Sequence, residues 1–477
     1  MNRRLTFALI ILVLIPAAGI VYLLGTPRLE NVSPAADEAN VPAAADLRLV
    51  FSRTMQPASV TDRLSLDPSI PGSFSWDGKT LIFKPDTIWP SGEKITVSLA
   101  AGARAAGLLS LPVRENASWS FTIGQPRLAY LYPADKASNI YILNPSTDAK
   151  QRLTDSPGGV LEFDISPDGK TIYYSVRNNK NGSSIYRLEH LDSIEESGQD
   201  GAPLPTPVLV LDCQQAFCRA PQISPQGDYL AYERTDVLGS GNPTYPQVWL
   251  MPMHSTGEAD SQPGEPVLAG DQNDQTLQPA WSPSGILTFY DSTSSAFVML
   301  DPHSEDKTTF HNETGEPGAW DPQGKVYVAP EISFSTTGNP EQTGLTPIAN
   351  SHLIQFDRAK KSSQDLSKDE NLEDATPAFS PDGTWLAFAR KYLDAQRWTP
   401  GRQVWLMHPD GSDARQLTND PLFNHYEFAW APTGKQLAYV RFNQTVPTEP
   451  PEIWMVDPVS TRSTRLVVGG YAPQWTP

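Results

Sequence analysis

The sequence predicts an all-β protein whose larger part is a β-propeller of about seven four-stranded blades. Three observations carry that prediction. A phrase recurs: residues 377–390 read PAFSPDGTWLAFAR, and FDISPDGKTIYYS (163–175), PQISPQGDYLAYE (221–233), PAWSPSGILTFYD (279–291), GAWDPQGKVYVAP (318–330) and FAWAPTGKQLAYVR (428–441) share its logic. The copies return about every 52 residues, near the repeat length of propeller blades. Finally, the two ends are complementary. The closing PQWTP (473–477) is the phrase cut short, while RLAYLY (127–132), NIYIL (139–143) and KQRLT (150–154) are strand-like runs with no copy ahead of them.

Within each copy, proline presets φ for the first corner of a tight turn, and the glycine two residues later takes the φ > 0 position that closes a short hairpin. Each copy is therefore strand, turn, strand. A third strand rich in β-formers follows at 184–188, 247–251, 296–300, 352–356, 403–407 and 452–456. A fourth, more polar strand comes next, as in ARQLT (414–418) and TRLVV (464–468). Four antiparallel strands make a blade. If the C-terminal strand completes the N-terminal blade, the ring closes without a long unpaired edge. The alternative is six blades, with the short third repeat degenerate.

The SPDG corner, the third strand running into a turn (QVWLMHPDG, 403–411) and the RQLT strand (415–418) resemble the repeat of TolB-type propellers. The resemblance covers roughly residues 125–477 and is clearest at 163–188 and 379–418. The same blade precedes the catalytic domain of prolyl-oligopeptidase-type peptidases, so the resemblance implies fold firmly and function weakly.

Ahead of the repeats, residues 1–25 start with Arg3 and Arg4 and then run LTFALIILVLIPAAGIVYLL without a charge. Twenty helical residues span about 30 Å, enough to cross a bilayer. The arginines place the N-terminus in the cytoplasm and the bulk of the chain outside it. The expectation is an uncleaved single-pass anchor; the alternative is a signal peptide cut near Ala17-Ala18-Gly19, giving a secreted protein. No cysteine lies near this segment, which excludes a lipoprotein anchor.

Residues 26–124 form a separate module. Strand-like runs at 47–51, 73–76, 80–84, 94–99 and 118–123, separated by Pro, Gly and Asp turns, predict a β-sandwich. VSPAADEANVP, LVFSRTMQPASV, FKPDTIWPSGEKITVSL and WSFTIG, in that order, resemble a bacterial Ig-like domain family. The resemblance implies an extracellular spacer or adhesion-type module without catalytic residues.

Charge and composition narrow the function. A formal net charge of −18 gives no basic footprint for phosphates, so nucleic-acid binding is set aside. Of twelve tryptophans, Trp249, Trp281, Trp385, Trp405 and Trp430 sit in repeat strands and are expected to pack. Cys213 and Cys218, the only cysteines, lie in a loop of an exported chain and are expected to form a disulfide. Seven scattered histidines give no HExxH pair, and no nearby His completes a zinc site with the cysteines. No metal or other cofactor is expected. There is no GxSxG elbow either.

One candidate site follows from the ring. Residues just ahead of each innermost strand gather at the axial mouth. Counting back five or six from each corner proline selects Glu162, Arg219, Gln278, Glu316, Thr376 and Glu427, with Asp374, Tyr426 and Tyr471 in the same layer. That is a polar, mostly acidic rim able to hold a cation, a basic peptide segment or a sugar. The bland alternative is solvated turn residues in a wet channel. The function expected is a non-catalytic, membrane-anchored, monomeric binding or scaffold protein that presents loops to a protein or peptide partner in the cell envelope. The alternative is a carbohydrate-binding protein, or a propeller lyase or glycosidase, working at the channel mouth.

Overall fold

The structure is a computed structural model that describes residues 26–476, apart from 44, 87, 108–109, 192–203, 254–262 and 335–348. The expected membrane segment, residues 1–25, lies outside the described residues. Among those described, no helix is long and apolar enough to cross a membrane; the α-helix Pro57–Thr61 has five residues. The chain divides into two compact units, Met1–Gln125 and Pro126–Pro477.

The first unit is a two-sheet sandwich. One sheet runs Leu29–Ser33, Leu47–Phe51, Thr80–Pro85, Gly72–Asp77, and the other Leu64–Asp67, Lys94–Leu99, Ala117–Thr122. Alternation sends Leu47, Leu49, Phe51, Leu81, Phe83, Ile95, Val97 and Phe121 into one core. Trp89 sits at its centre, edge-on to Phe121 at 5.6 Å, and its indole N–H donates to Ala45 O at 2.6 Å. Leu29–Ser33 and Leu64–Asp67 were not expected. The first shows no alternating burial, and the second is four residues long with no buried position.

Among the described residues the second unit has seven four-stranded antiparallel sheets, each paired in sequence order outward from its innermost strand, save for the last. The innermost strands of blades one to six are Val160–Ile165, Phe217–Ile223, Thr276–Trp281, Ala319–Trp320, Leu372–Phe379 and Phe423–Trp430. Blade seven is composite: Tyr471–Trp475 pairs with Leu128–Tyr132, and Asn139–Asn144 and Ala149–Arg152 complete it. Gln474 lies opposite Ala129 and Trp475 opposite Leu128. The count is seven, and the third repeat is a full blade.

The corners form as their residues dictate. Gly383 has φ +72°, and its N–H donates to Ser380 O at 2.9 Å. The buried Ser380 hydroxyl donates to Asp382 and accepts the Trp385 N–H, so the turn polar groups are satisfied within the turn.

Neighbouring blades are joined by a recurring latch. The indole N–H of Trp281 donates to Gln222 O, that of Trp430 to Ala378 O and that of Trp475 to Ala429 O, each at 3.0 Å. These residues occupy equivalent repeat positions, so every such bond reaches one blade back. Trp320 holds the same position and donates to Thr288 Oγ1 at 2.9 Å. At the junction of the ends, Gln474 Nε2 donates to Phe163 O at 2.9 Å while Trp475 reaches Ala429. The last strand thus touches blades six and one as well as its own partner, and the ring is closed. Replacing Trp430 by Phe, which keeps the ring but removes the donor, is expected to cost about 1 kcal/mol. Trp430→Ala is expected to cost about 3–5 kcal/mol, both read from urea unfolding midpoints.

Candidate functional site

Every innermost strand except the short one of blade four is bulged, the register slipping at Val160/Phe163, Arg219/Gln222, Leu277/Ala280, Ala375/Ala378, Tyr426/Ala429 and Tyr471/Gln474. At the bulge Ala220, Gln278, Thr376, Glu427 and Ala472 take left-handed φ of 46° to 58°. A bulge turns the strand and frees one residue from the ladder, which is how barrels and rings re-aim side chains. Glu162, Gln278, Thr376 and Glu427 from the counted rim fall at this bulge, Arg219 one residue earlier, and Glu316 in the loop ahead of the unbulged strand of blade four.

The bulge gives the acidic residues inward work. Glu427 Oε2 accepts the Ala472 N–H of blade seven at 2.6 Å. Glu233, on the second strand of blade two, accepts the Gln278 N–H of blade three at 2.7 Å. Asp164 accepts the Ile223 N–H of blade two at 2.9 Å. Each carboxylate thereby clamps its own blade to the next. Burial raises the pKa of Glu233 and of Glu427, and pushes that of Asp164 up to about 7, against the downward pull of its backbone N–H bonds. Asp164 is also singular in the repeat. Its position holds Ala280, Ala319, Ala378 and Ala429 in four blades and Gln222 and Gln474 in the two blades flanking it. All seven positions are partly exposed while the residues before them are mostly buried, and the polar members come from the adjacent blades seven, one and two.

The other rim residues scatter. Asp374 is fully buried and forms a fork with Arg390, both bonds 2.7 Å, with the Ser367 hydroxyl donating at 2.6 Å. Burial lifts its pKa although Arg390 and Ser367 pull it down. It is an internal ion pair of blade five and not a rim group; removing one partner of such a pair costs about 3–5 kcal/mol. Tyr426 packs edge-on to Phe442 at 5.5 Å in the core of blades six and seven, and the Tyr471 hydroxyl shares a 2.8 Å hydrogen bond with Ser138 Oγ. Glu316 is exposed in the loop ahead of Ala319–Trp320, and Thr376 is half-buried in its bulge. The nine residues do not converge on one acidic mouth.

Glu162 and Arg219 do come together. The guanidinium grips Glu162 Oε1 through Nε at 3.1 Å and through a second nitrogen, and Ser175 Oγ donates to Glu162 Oε2 at 3.2 Å. That contact raises the arginine's pKa. Beside the pair, at the seam of blades one and two, is a cleft of about 320 Å³ lined by Leu161, Arg177, Phe217, Arg219 and Thr235. Arg177 is exposed, with no partner among the described residues. The sequence reading missed Arg177 because it ends the second strand of blade one, where the count looked only at first strands. Cys213 and Cys218 are joined by a disulfide with Cα atoms 6.2 Å apart, immediately ahead of this cleft's Arg219.

Residues 25–123 match the bacterial Ig-like domain family. No curated protein matches the chain. Among solved structures, a putative TolB from Agrobacterium tumefaciens is similar at 19% identity and TM-score 0.39, over 73% of this chain and 92% of that one. A TolB from Acinetobacter baumannii is similar at 12% identity and TM-score 0.42, over 87% and 83%. An oligogalacturonate lyase in complex with manganese is similar at 13% identity and TM-score 0.40, over 66% and 75%. At these scores the propeller rests on its own strand order.

Asp164 yields a pH dependence. Its carboxyl titrates near 7 in the fold against about 4 in the unfolded chain, so the folded state holds the proton more tightly between those values. Its contribution to stability is fully present below pH 4 and is lost as pH rises through 7. Asp164→Asn should therefore flatten the decline in melting temperature between pH 4 and 8 relative to the parent, measured by scanning fluorimetry in matched buffers.

Proposed function

We propose that this chain is a non-catalytic binding protein of the cell envelope, held at the membrane by residues 1–25, in which the propeller offers the seam of blades one and two to a protein or peptide partner. One observation carries the reading. The described cleft combines an unpaired guanidinium, a second guanidinium oriented by Glu162, and the apolar faces of Leu161 and Phe217. A small number of placed polar groups on an apolar concavity is the ordinary composition of a binding site. The uncharged run of residues 5–24 supports the membrane attachment.

The carboxylates with raised pKa support binding over glycan chemistry. Glycosidases need two carboxyl groups facing each other across the scissile bond. Asp164, Glu233 and Glu427 each accept a backbone N–H of the neighbouring blade, a clamping role that occupies them.

The test is capture from an envelope extract by immobilised full-length chain. A partner retained by the parent should fall at least about tenfold with the Arg177→Ala/Arg219→Ala double variant. It should be unchanged with Val459→Ser, which alters an exposed turn of blade six. Equal retention by parent and double variant, with the variant folded by circular dichroism, overturns the assignment of the cleft.

A further inference from the structure

We propose that the cleft between blades one and two takes a carboxylate-bearing chain end, with Glu162 as the resident carboxylate on one of its two arginines. This rests on the reading of the cleft as the binding surface and adds what it binds.

The argument starts from charge. The chain carries a formal −18, so its long-range field repels anions, and an anion is held only where cations are concentrated locally. The cleft is such a place, with Arg177 and Arg219 both in its lining and Glu162 as the carboxylate bonded to Arg219. Guanidinium is the side chain suited to planar carboxylates, because its donors are fixed in a fork. Arg219 already holds a carboxylate, two of its nitrogens converging on the single oxygen Glu162 Oε1. Glu162 is itself held by Ser175 Oγ, so it fixes the direction of Arg219 while leaving the remaining donors of that guanidinium uncommitted to it. Arg177, exposed and unpaired among the described residues, supplies a fork with no internal carboxylate on it.

Size and lining then select the class of anion. A volume of about 320 Å³ is at the lower limit for ligand sites, suited to an end group and its neighbouring side chain rather than to a threaded strand. Leu161 and Phe217 cover part of the wall, so the ligand carries an apolar body next to its charge. A C-terminal residue with an apolar side chain meets both requirements, and inorganic phosphate meets only the first.

The test uses the full chain and two pools of randomised N-acetyl tripeptides, one ending in free carboxylates and one in carboxamides, with retention read by mass spectrometry. The free acids should be retained about tenfold over the amides, consistent with a charge-assisted fork. Arg177→Gln should abolish that preference. Glu162→Gln, which removes the resident carboxylate from Arg219, should raise retention of the acids. Equal retention of acids and amides overturns the proposal, as does a preference untouched by Arg177→Gln. Displacement of the acids by inorganic phosphate as readily as by acetate would also overturn it, in favour of a general anion site. Retention of neither pool overturns it too. If capture of the envelope partner still depends on the two arginines, the chain-end chemistry alone has failed; if that capture is insensitive as well, the cleft itself has failed.

Discussion

Tyr471–Trp475 lies against Leu128–Tyr132, joining residues some 340 positions apart into one sheet, with Trp475 opposite Leu128 and the Arg127 N–H donating to Thr476 Oγ1 at 2.9 Å. The rest of the ring depends on this pairing. Without it, blade seven would lack an innermost strand and blades six and one would each present an open flank. With it, Trp475 bonds back to Ala429 and Gln474 forward to Phe163, so both seams of blade seven are bridged. Loop-closure entropy for so long a segment is the cost of the arrangement, and it grows only slowly with length.

Closure also determines where polar groups go. Inner strands crowd around an axis, and all but the short one of blade four carry a bulge that turns them with the ring. A bulge exposes backbone N–H groups that the ladder no longer satisfies, and a buried unsatisfied donor is costly. Carboxylates answer that need: Glu427 for Ala472, Glu233 for Gln278, and Glu162 Oε2, at 3.5 Å, for Ala220. Glu427, which a linear reading assigns to a ligand, is thereby used inside the ring. At the seam of blades one and two Arg177 and Arg219 face solvent beside the partly exposed Glu162, on a protein that is acidic as a whole. The clamp of Asp164 on Ile223 and the cleft lined by Leu161, Phe217 and Arg219 thus share two strands, residues 160–165 and 217–223.

Much of this was legible in the sequence, for identifiable reasons. Pro-x-Gly corners specify their own turns, so every hairpin fell where the residues place it. The complementary ends could be matched because PQWTP repeats a phrase whose role was clear elsewhere. The sandwich strands with alternating apolar residues were equally readable, whereas Leu29–Ser33 buries no residue fully and left no alternation to detect. The site was harder. Counting back from the prolines lands on the bulge in four blades. It could not find their orientation, because a bulge shifts the alternation by one and reverses the side chain's face. Asp374 shows the same limit: it lies opposite Arg390 in the register of the first two strands of blade five, a pairing that alignment of the hairpin itself would have revealed. Asp164 left a signal too, as a carboxylate at a position where four other copies have alanine.

The account stands on the closing strand, and hydrogen exchange tests it most directly. Amides of Leu128–Tyr132 should be protected in the full chain. They should exchange far faster once residues 471–477 are removed, with faster exchange also in Phe423–Trp430 and Val160–Ile165, which flank the opened seam. Exchange at Leu128–Tyr132 unchanged by that truncation would contradict the closed ring.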